Sequence, residues 1–315
     1  MKTPEKILSA FRKEKRFLLA AHISPDGDAI GSCIALCNAL DSLGKKTFVY
    51  SRDPVPKQYR FLPGNEKIMA DPKDVVALDP ALVLLDCNSP ERAGLGRLDF
   101  RRCIVIDHHE TKTDFGDVQW INPDAAAAGL MVYFLIKGLG CRITPDIAIN
   151  LYTAVAVDTG TFRYSNTSSE VLRACAELVD YGAEPHLISD ALYESWERKR
   201  FDLLVLALNT LEIRSGVAMT YLTKEMFEKT GTKPADTETF SNFPRRIDTA
   251  KISALFRELG GGQWKVSLRS KGDVNVALMA ELFGGGGHKN AAGYTIKADL
   301  QAAKEALLKA SRKRR

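Results

Sequence analysis

At 315 residues, 45% of them hydrophobic, the chain is long enough to bury two packed cores, so two domains are expected. Six cysteines are scattered with no C-x-x-C pair, which excludes a cysteine zinc site and points to buried thiols in a reducing compartment. The formal charge is +5, but Arg312, Lys313, Arg314 and Arg315 supply most of it, which leaves a nearly neutral body and excludes a long basic track for nucleic acid.

Residues 1–15 mix charged side chains with few apolar ones and lack the run of a secretory signal, and no stretch approaches the roughly 18 apolar residues that span a bilayer. A soluble, cytoplasmic protein is expected. R-F-L-L-A-A-H at 16–22 reads as a strand, and residues 28–43 carry helical apolar spacing that ends near Gly44. Cys33 and Cys37 lie one turn apart in that helix and read as core. Apolar runs at 47–50, 81–85 and 103–106 read as strands; the last two are unbroken, as in parallel strands covered on both faces. Helical stretches at 125–139 and 145–157 complete an α/β pattern: a parallel sheet with helices on both faces.

The charged, leucine-rich segment from 185 to about 211 is compatible with helix and reads as a connector. The expected division is a first domain at 1–188, a connecting helix at 189–211 and a smaller α/β domain with a mixed sheet at 212–315. In that second domain, strands are expected at 217–222, 250–256 and 264–268, with Gly260, Gly261 and Gly262 turning between the last two. A helix at 275–283, a glycine run at 284–287, a strand at 293–296 and a terminal helix from Leu300 follow.

The polar residues of interest sit just after apolar runs, where an open parallel sheet presents its carboxyl ends to a crevice. His22, Asp26 and Asp28 follow the first strand as H-x-x-x-D-x-D, Asp86 ends the 81–85 run, Asp107, His108 and His109 end the 103–106 run, and Asp158 follows a helix. Singly, each has a plain explanation. Asp26-Gly27-Asp28 can be a turn and a helix cap, Asp86 a loop residue, and Asp158-Thr159-Gly160 a turn. Four such sites delivering Asp or His together would repel without counter-charge, so the cluster asks for cations. Carboxylates with a minority of imidazoles and no thiolates suit Mn²⁺ or Mg²⁺ better than a structural zinc. Two ions roughly 3.5–4 Å apart are the usual arrangement for phosphoryl hydrolysis.

In order and spacing, H-I-S-P-D-G-D, the Asp86 strand end, D-H-H and V-D-T-G resemble the four motifs of the DHH phosphoesterase family. The resemblance implies that His22 and Asp26 hold one ion, that Asp28, His108 and Asp158 hold the other, and that Asp86 bridges both. It further implies that His109 contacts the scissile phosphate while Asp107 orients a ligating imidazole.

The string G-G-G-G-H-K-N-A-A-G at 284–293, preceded by Arg269 and Ser270, is similar to the DHH-associated C-terminal domain, whose loop grips substrate across a cleft from the metals. Consecutive glycines let backbone N–H groups approach an anion, and His288, Lys289 and Arg269 add donors suited to phosphate. The substrate-binding set implied here is Arg269, Ser270, Gly285, Gly286, Gly287, His288, Lys289 and Asn290, together with Arg163. Phe162, Arg163 and Tyr164 could stack a base or meet a phosphate, or else begin a strand packed in the core.

T-G-T-F-R-Y-S-N-T after Asp158 looks like the oligoribonuclease and adenosine 3′,5′-bisphosphate (pAp) phosphatase branch of the family. The activity implied is a two-metal phosphoesterase, using Mn²⁺ or else Mg²⁺, that releases mononucleotides from RNA fragments of a few nucleotides and converts pAp to AMP. The expected partners are thus short RNA oligonucleotides and small nucleotides, with no membrane; exposed helix surface in the first domain could support a homodimer. Alternatives within the family are a phosphodiesterase for cyclic di-AMP or pApA and a pyrophosphatase or polyphosphatase, the latter disfavoured by the glycine–histidine loop. A non-catalytic nucleotide binder would be expected to have lost a ligand, and all six are present.

Overall fold

The computed structural model describes residues 1–96, 98–109 and 115–312, without the side chain of His288. The chain divides into two compact units, Met1–Ser195 and Trp196–Arg315. None of the described helices is long and apolar enough to cross a membrane.

The first unit begins with α1 (Glu5–Lys13), β1 (Arg16–Ala20), α2 (Gly27–Ser42), β2 (Lys46–Tyr50), β3 (Ile68–Met69) and the short α3 (Lys73–Val76). It continues through β4 (Ala81–Leu85), β5 (Cys103–Asp107), β6 (Val118–Ile121), α4 (Ala128–Gly138), α5 (Pro145–Asp158), α6 (Ser169–Asp180) and α7 (Pro185–Ser189). The six strands form a wholly parallel sheet in the order β3-β2-β1-β4-β5-β6. Strand order reverses direction between β1 and β4, which places a crevice at their carboxyl ends.

Every residue of β4 and β5 is buried, as their unbroken apolar runs require. Phe17, Leu19, Val83, Leu85, Ile104 and Ile106 face a core shared with α1, α2, α4, α5 and α6. Leu18, Leu82, Leu84 and Val105 face the opposite way, against Val75 of α3 and the loop residues Ala93 and Leu95. The short edge strands β3 and β6 carry too few apolar residues to stand out in sequence.

Helices α2 and α5 meet closely at Gly31, where an added Cβ would lie 2.5 Å from the carbonyl oxygen of Asn150. That contact is backbone and cannot swing aside.

The second unit contains α8 (Arg198–Leu208), β7 (Glu212–Arg214), β8 (Val217–Leu222), α9 (Lys224–Thr230), β9 (Ile252–Gly260) and β10 (Gln263–Ser270). It ends with α10 (Ala277–Glu281), β11 (Gly286–His288), β12 (Ala291–Lys297) and α11 (Leu300–Arg312). Its mixed sheet runs β11-β12-β10-β9-β8-β7, with β8 and β9 parallel and the remaining pairs antiparallel. Val266, Leu268, Phe256 and Met219 pack beneath α10 and α11, while Leu255 and Leu222 on the other face meet Leu203, Leu204 and Phe240.

Over 189–211, where one helix was expected, the chain makes a π turn at Asp190–Glu194, leaves helical geometry, and resumes as α8. Trp196 accounts for the break. Its ring lies 5.9 Å from that of Phe240 and 6.0 Å from that of Phe243, with the Arg200 guanidinium 3.9 Å above it, and a continuous helix would withdraw it from that pocket.

Replacing Gly31 with alanine is expected to push α2 from α5 and to lower stability by about 1–3 kcal/mol in chemical denaturation. A loss below about 0.5 kcal/mol would show a looser helix pair than the one described.

Candidate metal centre

Each side chain of the cluster is held by the element that ends beside it. Asp26 caps α2, its Oδ1 accepting from the N–H groups of Asp28 and Ala29 at 3.0 Å each, so the plain capping explanation holds for it. The same oxygen lies 3.9 Å from His22 Nε2. Asp28, in the first turn of α2, is fully buried and reaches α4 instead: Ala128 N–H donates to its Oδ2 and Gly129 N–H to its Oδ1, both at 2.7 Å. Ser32 adds a hydroxyl at 3.1 Å.

Asp86 follows β4 with φ of +55°, a left-handed conformation uncommon for a residue with a Cβ, and its N–H donates to Ile106 O at 3.1 Å. This turn aims a carboxylate across the sheet end. Asp107 closes β5 and Asp158 closes α5.

The side chains converge on Asp86 and His108. His22 Nε2 lies 3.2 Å from Asp86 Oδ2, and His108 Nε2 lies 3.2 Å from Asp86 Oδ1, 3.1 Å from Asp158 Oδ2 and 3.8 Å from Asp28 Oδ2. Three groups result, each with its ligand atoms within 4.8 Å: His22, Asp26 and Asp86; Asp28, His108 and Asp158; Asp86, His108 and His109. Two of the groups share Asp86 and two share His108. Both imidazoles are oriented from behind, His22 Nδ1 lying 2.9 Å from Ile23 O and His108 Nδ1 3.1 Å from Ala125 O, which turns each Nε2 toward the carboxylates.

Burial opposes charge on His22, yet the hydrogen bond to Asp86 and the nearby Asp26 carry its pKa up to about 10. His108 also rises against burial, through Asp158 and Asp86. Burial lifts Asp26 to about 6; His22 works against that rise, and Asp86 and Asp158 add to it. Burial, Asp158 and Asp86 hold Asp28 well above the usual carboxylate range. Asp86 moves the other way: burial disfavours its charge, but the imidazoles of His108 and His22 beside it hold its pKa well below that range.

The centre thus concentrates negative charge and retains protons to balance it. Asp86 Oδ1 is buried and accepts no hydrogen bond of good geometry. An oxygen-rich, thiolate-free set with such an atom at its middle fits divalent cations, which can hold the place of those protons.

Asp107 is bonded to the second of the two adjacent imidazoles, that of His109. Its Oδ1 lies 2.6 Å from His109 Nδ1 and accepts the His109 N–H at 3.3 Å, whereas His108 is oriented by the carbonyl of Ala125. The carboxylate therefore sets the ring expected to meet phosphate, and that ring lies 3.5 Å from Asp86 Oδ1. The backbone groups of Ala125, Ala128 and Gly129 carry no side-chain signature that could have announced their part.

After Asp158 the chain makes a left-handed turn, with positive φ at Gly160, Thr161 and Phe162, where a strand start was one expectation. Phe162 packs edge-on to Tyr152 at 5.8 Å against the main core, and Arg163 Nε donates to Gly160 O at 2.5 Å.

In the second unit the glycine run is partly strand. β11 pairs with β12 through Gly286 with Gly293 and Gly287 with Ala292, and a Cβ at Gly285 or Gly287 would collide with the backbone oxygens of Gly293 and Ala291. Gly286 has open space at that position. Ser270 is buried and gives its hydroxyl to Val274 O at 2.6 Å and Lys289 O at 3.3 Å, while Asn290 Nδ2 donates to Ser270 Oγ at 2.9 Å. These two residues shape the loop from within. Lys289 Nζ lies 3.2 Å from exposed Asp273, and Arg269 Nη1 donates to Leu268 O at 2.9 Å. The side chain of His288 lies outside the described residues.

The family model for the DHH family, N-terminal domain, matches residues 16–182, and that for the DHHA1 domain matches residues 216–314. The chain is 38% identical over 296 residues to the bifunctional oligoribonuclease and PAP phosphatase NrnA of Thermus thermophilus, covering 93% of this chain and 88% of that protein. It is 26% identical to the protein of the same name from Bacillus subtilis, covering 89% and 86%. The crystal structure of an exopolyphosphatase-related protein from Bacteroides fragilis superposes with a TM-score of 0.90 at 28% identity, covering 98% of this chain and 95% of that one. With a DHH domain followed by a DHHA1 domain, and this likeness along almost its whole length, the chain belongs to the DHH family.

Proposed function

We propose that the chain is a divalent-cation-dependent phosphoesterase that releases mononucleotides from RNA fragments of a few nucleotides and dephosphorylates pAp to AMP. The observation that carries the reading is the overlap of the acidic groups at Asp86 and His108, which suits two neighbouring cations. The names of the relatives supply the substrate class.

In this reading His22 and Asp26 hold one ion, Asp28, His108 and Asp158 hold the other, and Asp86 serves both. The donor set favours Mn²⁺, with Mg²⁺ as the other candidate. When bound, such ions neutralise charge on the phosphoryl oxygens and make water a competent nucleophile at neutral pH. His109, held by Asp107 through Nδ1, presents its far edge to a phosphate oxygen and stabilises charge there as the ester bond breaks. Arg163 in the first unit, and separately Arg269 and Lys289 in the second, are the side chains suited to a substrate phosphate; Ser270 and Asn290 keep the glycine loop in shape. All six cysteines are buried free thiols, which supports a reducing compartment, in this reading the cytoplasm.

The substrate test is a comparison of kcat/KM in Mn²⁺ for pAp, pApA, cyclic di-AMP, pyrophosphate and RNAs of graded length. The expected ranking puts pAp and the shortest RNAs first; turnover confined to pyrophosphate or to cyclic di-AMP sinks the proposal.

Asp86→Asn is expected to lower kcat/KM by more than about a hundredfold and to reduce bound Mn²⁺, because loss of an outer partner alone costs ten- to a hundredfold. Retention of most activity refutes the bridging role. Arg269→Ala is expected to raise KM about tenfold while metal content stays at the wild-type level, the cost of one charge-assisted hydrogen bond.

The raised pKa values of His22, His108 and Asp28 mean that a cation entering this cluster competes with protons. Affinity for Mn²⁺ should therefore rise with pH from about 6, where Asp26 titrates, toward about 10, where His22 does, with proton release detectable by calorimetry in buffers of different ionisation heat. A flat profile would contradict the assigned ligands.

A further inference from the structure

The three members of the second acidic group come from distant parts of the chain, yet all are tied to one five-residue segment at 125–129. His108 is oriented by Ala125 O, and Asp28 is held by the N–H groups of Ala128 and Gly129. Asp158 makes no such bond itself. The tie is supplied by Asn166, whose Nδ2 donates to Ala126 O at 3.1 Å and to Asp158 O at 3.2 Å.

We propose that Asn166 is a positioning residue for the ion held by Asp28, His108 and Asp158, acting by clamping the end of α5 onto the 125–129 segment. The inference rests on the ligand assignment proposed above and adds to it a residue outside the ligand set.

The carbonyl of Asp158 belongs to the last turn of α5, where carbonyls lose their helical partners and the backbone frays unless it is capped from outside. Asn166 lies eight residues further on, and the left-handed turn at Gly160, Thr161 and Phe162 reverses the chain and brings it back. The amide nitrogen carries two hydrogens and can give one to each carbonyl. With the backbone at 158 fixed against the segment that fixes the other two ligands, Asp158 Oδ2 stays at its 3.1 Å separation from His108 Nε2. Asp28 gains from the same arrangement. Its Oδ1 accepts two hydrogen bonds and its Oδ2 only one, which leaves Oδ2, the oxygen 3.8 Å from His108 Nε2, with a lone pair for a cation.

Among the described residues no hydrogen bond links Asn166 to the other group. His22 is oriented by Ile23 O, and Asp26 by its cap on α2. The two ion positions should thus respond differently to loss of the amide.

The test is a Mn²⁺ titration followed by the electron paramagnetic resonance of free ion, on wild type, Asn166→Leu, Asp158→Ala, the double variant, and Ser165→Ala as neighbouring control. Thermal melting of each metal-free protein is recorded alongside. Asn166→Leu keeps the side chain's size and removes its donors. The expected result is two ions bound by wild type and by Asn166→Leu, with one affinity weakened about tenfold, the other unchanged, and the melting temperature unmoved. Asp158→Ala should lose the same ion, and adding Asn166→Leu to it should change nothing more.

Two affinities equal to wild type in Asn166→Leu overturn the positioning role. Equal weakening of both ions with a lowered melting temperature shows instead a residue that only supports the fold, and also overturns it. If wild type itself binds fewer than two ions, the ligand assignment fails first.

Discussion

A carboxylate cut off from solvent must be bonded or neutralised, and the fully buried Asp28 meets that demand by joining α2 to α4. Two backbone donors at the start of α4 are satisfied by it, and α4 has no side-chain cap of its own. The acid is therefore part of the helix packing as well as of the charged cluster. Because α2 also packs tightly on α5, whose last residue is Asp158, the three helices bring two carboxylates to one side of His108.

Asp86 completes the centre from the sheet. Its left-handed backbone is a local cost that the rest of the unit sustains, and it is offset by the ladder bond to Ile106 and by two imidazoles on its carboxylate. A residue of ordinary extended geometry at the end of β4 would instead point its side chain to one face of the sheet. The sheet order, with the reversal between β1 and β4, leaves room at that point for groups arriving from both sides.

Much of this was legible in the sequence, because the strongest physical signals are local. The unbroken apolar runs of β4 and β5, the helical period of α2, and acids placed just past apolar runs each announce themselves within a few residues. Other features depend on partners far away in the chain. β3 and β6 are strands because neighbours pair with them, and β11 is a strand because β12 lies close enough to need glycine. The interruption of the helix expected at 189–211 depends on Phe240 and Phe243, about forty residues later, receiving Trp196. Asp107 could be read as an orienting acid, but which of two adjacent histidines it orients is settled only by the turn after β5. Backbone contributions from 125–129 have no residue code at all, since alanine there serves through its amide and carbonyl.

The order of these pieces along the chain bears on when the centre can exist. Its contributors begin at His22 and end with Asp158, and Asn166, bonded to the Asp158 carbonyl, comes later still. A nascent chain emerging from the ribosome therefore presents isolated acids and histidines until most of Met1–Ser195 has been synthesised. Only then do the scattered acids come into register, so cations could be held only once this unit has folded, and a truncated translation product ending before α5 would lack Asp158.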